Sequence, residues 1–323
     1  MLSLKIKIQM LIGVFKSNQK LVNALVVLTT ILLWMPSFFM DRSEVFTSTI
    51  SAGYLWVDAI ITVVLVATQA IYINMIVNEY KLVENNTHLT GLMFVLLNSC
   101  FLELFKLNEV LIANTFVLLG IHQLLRLYGT KGDYALSFNA GFLLAIATVI
   151  YSPNGIFLFF LWFGIMYMLS AKWRDFMVSL IGFSIPILYV ACYNFVFKDF
   201  LSFGWLSSSA EVFNFSWIEL SRSVKILVFM ILGVFFLSLP SLFARLSSGA
   251  LRTRKMLVLI GCFFFFGLAT LFFNQVDYLA SFVVLTIPVS VVVANFFQKL
   301  KKQWLSELLF MALLIVIIVG YFS

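Results

Sequence analysis

The chain has 323 residues, of which 63% are hydrophobic and only 11% are charged. Soluble domains are about 45–50% apolar and about 25% charged, so no soluble core could hide this much apolar surface. Apolar stretches of about 18 or more residues are typical of membrane-spanning helices, and they recur along the whole chain. The composition excludes a soluble protein and predicts an all-α polytopic membrane helix bundle, with residues 1–323 in a single integral membrane domain.

The net charge of +7 does not call for nucleic acid as a partner, because Lys and Arg also accumulate in the cytoplasmic loops of membrane proteins. The three cysteines, Cys100, Cys192 and Cys262, are scattered over apolar runs and do not favour a disulfide framework. The sequence has no glycine-rich phosphate loop and no zinc-ligand spacing. With only two histidines, it also lacks the ligands of an oxygenase that holds its metal through several imidazoles.

Residues 1–20 are basic and mildly amphipathic, which is typical of an interfacial segment that leads into a first span. About eleven spans follow, and we place them at residues 21–40, 55–76, 89–105, 110–128, 136–151, 155–171, 176–196, 224–243, 256–273, 278–297 and 305–322. The segment 198–222 is then the longest outer loop. Its Trp and Phe residues favour the headgroup level of the membrane.

The distribution of basic residues predicts the orientation. With a cytoplasmic N-terminus, sixteen of the 21 Lys and Arg residues fall in cytoplasmic segments, as the positive-inside rule requires. The five on the outer side are Arg42, Lys106, Lys198, Arg222 and Lys225. An odd number of spans places the C-terminus outside. It also places the charged turn at 172–175 inside, where Asp175 can cap the helix that follows.

The second span carries a polar stripe. At 100° per residue, Asp58, Thr62, Gln69 and Tyr72 fall on one face of a helix. A carboxylate within a span should face the protein interior or a water-filled cavity. One interpretation makes Asp58 a general base or a cation ligand, with Gln69 and Tyr72 binding substrate. The other leaves Asp58 at headgroup level or hydrogen-bonded to a neighbouring helix.

Two outer carboxylates, Asp41 and Glu44, follow the first span and are three residues apart. On one helical turn they would point the same way and could hold a divalent metal or activate an acceptor hydroxyl. They could equally be solvated loop residues.

The fourth span contains Asn114, His122, Gln123 and Arg126. His122 and Arg126 are four residues apart and share one face near the cytoplasmic end. A proton relay is one interpretation. The sequence favours the other, an interfacial arginine whose stem lies along the helix.

Several stretches resemble a known family. They are VFKSNQ, LLWMPSFF, QAIYIN, LVENNTHLTGLMFVLLNS, FNAGFLLAIATVIYSP and KWRDFMVSLIGFSIP. Together they resemble an uncharacterised family of multi-pass inner-membrane proteins from Bacteroidota, a domain of unknown function. The resemblance implies the bacterial inner (cytoplasmic) membrane as the location.

A further similarity concerns the order of elements from Phe138 to Tyr193, which is similar to the repeated hairpins of GT-C membrane glycosyltransferases. Those enzymes take sugars from polyprenyl-phosphate carriers at the outer leaflet, usually with an acidic motif in a longer first outer loop than this one. The similarity implies that Asp58 or Asp41 serves as the base. The assisting and phosphate-holding residues would be Glu44, Asp199, Arg222 and Lys225.

The leading hypothesis is therefore an inner-membrane protein with a GT-C-like core that acts on polyprenyl-linked envelope glycans. The first alternative is a non-catalytic membrane subunit or scaffold of a cell-envelope secretion or export complex, with other envelope membrane proteins as partners. The second is a transporter. The cofactor candidates are a divalent metal and a polyprenyl-phosphate lipid, and the partners common to all hypotheses are membrane lipids.

Overall fold

The computed structural model describes residues 15, 21–36, 55–85, 87–100, 105, 107–130, 133–168, 172–197, 222–272, 278–300 and 303–321. In this part of the chain all regular structure is helical, which confirms the all-α prediction. The α-helices are α1 (Leu21–Trp34), α2 (Leu55–Glu79), α3 (Leu89–Asn98), α4 (Glu109–Arg126), α5 (Tyr134–Ile150), α6 (Phe157–Met168), α7 (Trp173–Phe197), α8 (Arg222–Ser248), α9 (Leu251–Phe272), α10 (Tyr278–Lys299) and α11 (Gln303–Tyr321). A 3-10 helix, Ser152–Ile156, joins α5 to α6 at the predicted turn.

Seven of these helices, α2, α4 and α7 to α11, are long and apolar enough to cross a membrane. Each predicted span overlaps one described helix, but α3 differs in length from its predicted span at 89–105. With ten residues it rises only about 15 Å, about half the thickness of a bilayer core. Nine of its ten residues are buried, so its neighbours surround it almost completely.

The core is arranged around α10, because 78% of its 18-residue apolar stretch is buried inside the bundle. The 18-residue apolar stretches of α7 and α8 are each only 17% buried. Large apolar side chains of α8, such as Phe229 and Phe236, are exposed. Exposed phenylalanines on long apolar helices are stable against lipid rather than water. The protein is therefore built as a membrane-embedded helix bundle with a buried centre and lipid-facing outer helices.

Helices α5 and α7 approach each other through small residues. A Cβ added at Gly141 would meet the carbonyl oxygen of Ser179, and one added at Gly182 would meet the carbonyl oxygen of Phe138. Small residues let the backbones of membrane helices pack directly against each other. The two glycines therefore fix this pair of helices through reciprocal backbone contacts.

One end of the bundle collects basic side chains. Arg245 donates to the carbonyl of Lys81 (3.1 Å), and Lys255 donates to the carbonyl of Tyr167 (3.2 Å). These bonds place the ends of α2, α6 and α8 and the start of α9 on the same side. We call this side the basic face and define it by Lys81, Arg126, Arg245, Arg252, Lys255 and Lys299.

The charged turn before α7 has the capping role predicted for it. The Asp175 carboxylate accepts a hydrogen bond from the backbone N–H of Lys172 (2.9 Å), at the residue preceding the helix. Asp175 is buried, while Lys172 and Arg174 are exposed. A carboxylate in the first turn also complements the positive end of the helix dipole.

Ends of three helices meet around Ser99, away from the basic face. Trp34, at the end of α1, donates its indole N–H to the Ser99 hydroxyl (3.0 Å), and Tyr321, at the end of α11, donates to the Ser99 carbonyl (2.7 Å). The ring of Phe105 lies between them, 4.7 Å from that of Trp34 and 5.3 Å from that of Tyr321, measured between centroids. We call these four residues the Ser99 cluster; it joins the first and last described helices.

Candidate functional site

Three side chains near the basic face lie in series as proton donors and acceptors. The Tyr72 hydroxyl lies 2.5 Å from Nδ1 of His122, and Nε2 of His122 lies 3.5 Å from a carboxylate oxygen of Glu79. The His122 side chain is 12% exposed and that of Glu79 is 49% exposed. The acid–base chain (Tyr72, His122 and Glu79) thus leads from the protein surface to a hydroxyl inside the bundle.

Helix geometry explains how these residues meet. Tyr72 and Glu79 are seven residues apart on α2, so they share one face two turns apart. The imidazole of His122, on α4, lies between these two side chains and contacts both of them. The pairing of the two helices is fixed one turn away, where the Gln69 amide donates to the carbonyl of Leu111 (2.9 Å) and to the hydroxyl of Thr115 (2.7 Å).

The Tyr72 phenol can donate to Nδ1 of His122 or accept from it, according to the imidazole tautomer. In the tautomer that carries the ring proton on Nε2, the phenol donates and Nδ1 accepts. Nε2–H then points its proton towards a carboxylate, the acceptor best suited to stabilise a charged imidazole. The separation of 3.5 Å is longer than a normal hydrogen bond, and a small movement of the half-exposed Glu79 side chain would close it.

Aromatic and cationic groups surround this chain. The ring of Tyr80 lies edge-on to His122, with 5.9 Å between centroids, and the guanidinium of Arg252 lies 5.3 Å from the centre of the Tyr80 ring. Arg126 follows His122 by one turn of α4 and is exposed. Burial, and then the nearby Glu79 carboxylate, raise the pKa of Tyr80 to about 12, so this phenol stays protonated at physiological pH.

An apolar cavity of about 20 Å³ lies behind the site, between α2, α4, α6, α9 and α10. Its walls are aliphatic and phenylalanine side chains, including Ile73, Ile121 and Phe160. A water molecule needs two or more polar partners to be held in a cavity of this size. The cavity is therefore a dry packing gap, and the polar chemistry stays with the acid–base chain.

The model of one protein family matches residues 10–323. The chain belongs to the family of unknown function DUF6427. This confirms the expected membership of an uncharacterised family. A search of curated proteins found no significant match, and neither did a search of solved structures.

In this DUF6427 member, the polar stripe of the second span faces inward. Asp58, Thr62 and Gln69 are all buried on α2, and Tyr72 is half-buried. Asp58 and Tyr72 are fourteen residues apart, which is about 21 Å along the helix axis. The structure therefore joins Tyr72 to His122 and Glu79 and leaves Asp58 near the other end of the helix. The amide of Gln69 is occupied in joining α2 to α4.

The other predicted site residues are only partly within the described chain. Asp41, Glu44 and Asp199 lie outside the described residues, so their catalytic roles stay predictions, as does the GT-C-like core. Arg222 begins α8, and Lys225 is half-buried in the first turn of that helix. Over the ranges that the structure describes, no three His, Cys, Asp or Glu side chains are grouped to hold a metal.

Sequence reasoning missed the acid–base chain as a unit. It identified Tyr72 as a binding residue, and it offered a proton relay through His122 and Arg126 beside the favoured interfacial arginine. Neither interpretation paired His122 with Tyr72 and Glu79, which it contacts in the structure. The predicted second span ends at residue 76, whereas the helix continues to Glu79. The spacing of seven residues from Tyr72 is the signal that could have placed Glu79 on the same helix face.

Proposed function

We propose that this protein is a proton-coupled membrane transport protein whose acid–base chain moves protons between the basic face and the bundle interior. The observation that carries this proposal is the 2.5 Å contact between the Tyr72 hydroxyl and Nδ1 of His122, continued by Nε2 towards Glu79. Ionisable residues inside membrane spans are costly and are typical of proton relays and ion pathways.

The proton transfer is balanced by a change of tautomer. A proton that reaches the Tyr72 oxygen from inside the bundle lets the phenolic proton pass to Nδ1, which makes an imidazolium. Nε2 then releases its proton to the Glu79 carboxylate. One proton has moved to the basic face, Tyr72 is again a neutral phenol, and His122 is neutral with its proton on Nδ1. Turning the ring, or running the steps in reverse, restores the starting tautomer.

The location and orientation belong to the same proposal. We place the protein in the inner membrane of a bacterium of the Bacteroidota, with the basic face and N-terminus in the cytoplasm and the C-terminus outside. The support is that Lys81, Arg126, Arg245, Arg252, Lys255 and Lys299 share one end of the bundle. An excess of Lys and Arg marks the cytoplasmic side of membrane proteins.

Proton movement can be measured in vesicles that contain the purified protein and a pH-sensitive dye. A potassium gradient with valinomycin would drive protons through wild-type protein. Tyr72→Phe removes the hydroxyl, and His122→Gln removes the ring that exchanges protons. We expect each substitution to lower the flux at least tenfold, because either break leaves no group to pass the proton on.

His88→Gln is the matched control, since it replaces the other histidine, which lies outside the acid–base chain. Its flux should equal that of wild type. Wild-type flux no greater than that of protein-free vesicles, or His122→Gln flux equal to wild type, would contradict the proposal.

A further inference from the structure

The backbone of Tyr80 is fixed by the way in which α2 ends. The N–H of Lys81 donates to the carbonyl of Asn78 (3.3 Å). The N–H of Leu82 donates to the carbonyl of Val77 (3.0 Å), and Lys81 has a φ of 51°, in the left-handed region. These features form a Schellman motif, which satisfies the last carbonyls of a helix. Tyr80 is the C-cap of this motif and therefore has a defined place at the basic face.

The side chain of Tyr80 is enclosed by groups of the candidate site. It is only 3% exposed. Its ring lies edge-on to the imidazole of His122, and the guanidinium of Arg252 lies 5.3 Å from the ring centre. Burial, then the charge of Glu79 and a hydrogen bond to its carboxylate, raise the pKa of Tyr80 to about 12. The phenol therefore keeps its proton and donates it to the hydrogen bond with Glu79.

Glu79 is the most exposed member of the acid–base chain. Its side chain is 49% exposed, compared with 12% for that of His122. Holding a glutamate in one geometry costs side-chain entropy, because several bonds must stop rotating. Its carboxylate oxygen lies 3.5 Å from Nε2 of His122, and a turn of the side chain into solvent would break this contact. A hydrogen bond from an enclosed donor opposes that turn.

We propose that Tyr80 is a positioning residue of the acid–base chain. Its hydroxyl holds the Glu79 carboxylate beside Nε2 of His122, and its ring limits the orientation of the imidazole. Tyr80 itself exchanges no proton. The inference rests on the proposed function where it concerns proton flux, whereas the geometry that it predicts can be measured without any transport.

The tautomer of His122 reports this geometry. The hydrogen bonds made by the two ring nitrogens decide which of them carries the proton of a neutral imidazole. A carboxylate held beside Nε2 accepts from Nε2–H and therefore keeps the proton there. When the carboxylate is released, Nδ1 can carry the proton instead and donate it to the Tyr72 hydroxyl. A role of Tyr80 in packing alone would leave this balance unchanged.

The experiment is solid-state ¹⁵N NMR of the purified full-length chain, labelled at histidine and reconstituted in lipid bilayers. The pH is about 8, above the ordinary histidine pKa near 6.5, and His122→Gln assigns the signals. We expect wild-type His122 to carry its proton mainly on Nε2. Tyr80→Phe keeps the ring and removes only the hydroxyl, so it should move a substantial share of the proton to Nδ1.

Tyr128→Phe is the matched control. Tyr128 is a half-buried tyrosine whose ring lies 5.8 Å from the ammonium of Lys255, on the basic face. Its substitution should leave the His122 tautomer as in wild type. His88 is an internal reference, because its Nδ1 contacts the Asn74 amide and not the acid–base chain. A general loosening of the bundle would alter both histidines, whereas loss of positioning alters His122 alone.

Proton flux in the vesicle assay is the second readout. Tyr80→Phe should lower the flux about three- to tenfold, the change in population that one hydrogen bond sustains. The loss should be smaller than in Tyr72→Phe, because the acid–base chain is complete again whenever Glu79 returns to His122.

Four results would overturn the inference. They are a wild-type His122 with its proton mainly on Nδ1, an unchanged tautomer in Tyr80→Phe, the same change in Tyr128→Phe or at His88, and wild-type flux in Tyr80→Phe. Failure of the proposed function is distinguishable, because wild-type vesicles would then show no flux above protein-free vesicles while Tyr80→Phe still moved the ring proton.

Discussion

Two buried amide side chains of the bundle are held by groups on other helices. The Asn98 amide donates to the Thr286 hydroxyl of α10 (3.2 Å), and the Gln69 amide joins α2 to α4. Such bonds matter more in lipid than at a wet surface, because no water replaces a lost partner. His88 is a different case. Its Nδ1 contacts the Asn74 amide (2.9 Å), while its buried Nε2 has no hydrogen-bond partner among the described residues.

His88 should make stability depend on pH. Burial lowers its pKa below the ordinary value near 6.5, so the unfolded chain takes up a proton that the folded chain refuses. Stability is therefore full above about pH 6.5 and falls as the pH drops from there towards the lowered pKa. We expect the melting temperature of wild type in detergent to fall across this range, and that of His88→Asn to fall less. Parallel curves for the two proteins would show that His88 is not responsible.

Single residues also show what sequence can and cannot predict. The inward direction of Asp58, Thr62 and Gln69 followed from their spacing, because helix periodicity is local. The partnership of His122 with Glu79 did not, because it depends on which face of α4 packs on α2. No local pattern encodes that choice, and in the structure the Gln69–Thr115 and Gln69–Leu111 bonds are part of the contact between the two helices.

At the scale of helices, positions were predictable and lengths less so. Hydrophobicity located each apolar helix within a few residues. It could not separate a spanning helix from a buried one, so α3 was predicted to be longer than the ten residues it has. An apolar side chain looks the same in sequence whether it meets lipid or another helix. Burial of α3 on nearly every residue is a consequence of its neighbours.

The close approach of α5 and α7 gives a prediction at this scale. Gly141→Ala and Gly182→Ala each place a methyl group against a backbone carbonyl of the opposite helix, which cannot rotate away as a side chain can. We expect each to destabilise the protein by about 1–3 kcal/mol, the usual cost of overpacking. The measurement is thermal unfolding in detergent.

Gly233→Ala and Gly261→Ala are the controls, because a Cβ at either position meets nothing within 4 Å. Alanine favours helix by up to about 1 kcal/mol over glycine, so these variants should be unchanged or slightly stabilised. If all four variants behaved alike, the direct backbone contact of α5 with α7 would be refuted.

For the whole molecule, the distribution of Lys and Arg residues predicts which loops lie on the same side of the membrane. The structure brings loops of the predicted cytoplasmic side together. The bonds from Arg245 to Lys81 and from Lys255 to Tyr167 join segments that the count had placed on one side. Charge distribution is a global property of the sequence and therefore predicts a global property of the fold. It says nothing about contacts such as the Ser99 cluster, which link residues far apart in the chain.

Tyr321→Phe tests how far the Ser99 cluster stabilises the molecule. The substitution removes only the hydroxyl that donates to the Ser99 carbonyl, in a buried position. We expect a loss of about 1 kcal/mol in the free energy of unfolding, in the range of hydrogen bonds between membrane helices. Tyr189→Phe, at a 74% exposed tyrosine of α7, should cause no measurable change. Equal effects of the two substitutions would contradict a structural role for this bond.

The Ser99 cluster also constrains the order of biogenesis. Ser99 and Tyr321 are separated by 222 positions, so the ribosome makes Tyr321 long after Ser99 and Trp34 have entered the membrane. Until then the carbonyl of Ser99 lacks this donor, and α1 and α3 lack the aromatic ring that completes their junction. The junction of α1 and α3 is therefore completed only when α11, the last described helix to be made, packs against it.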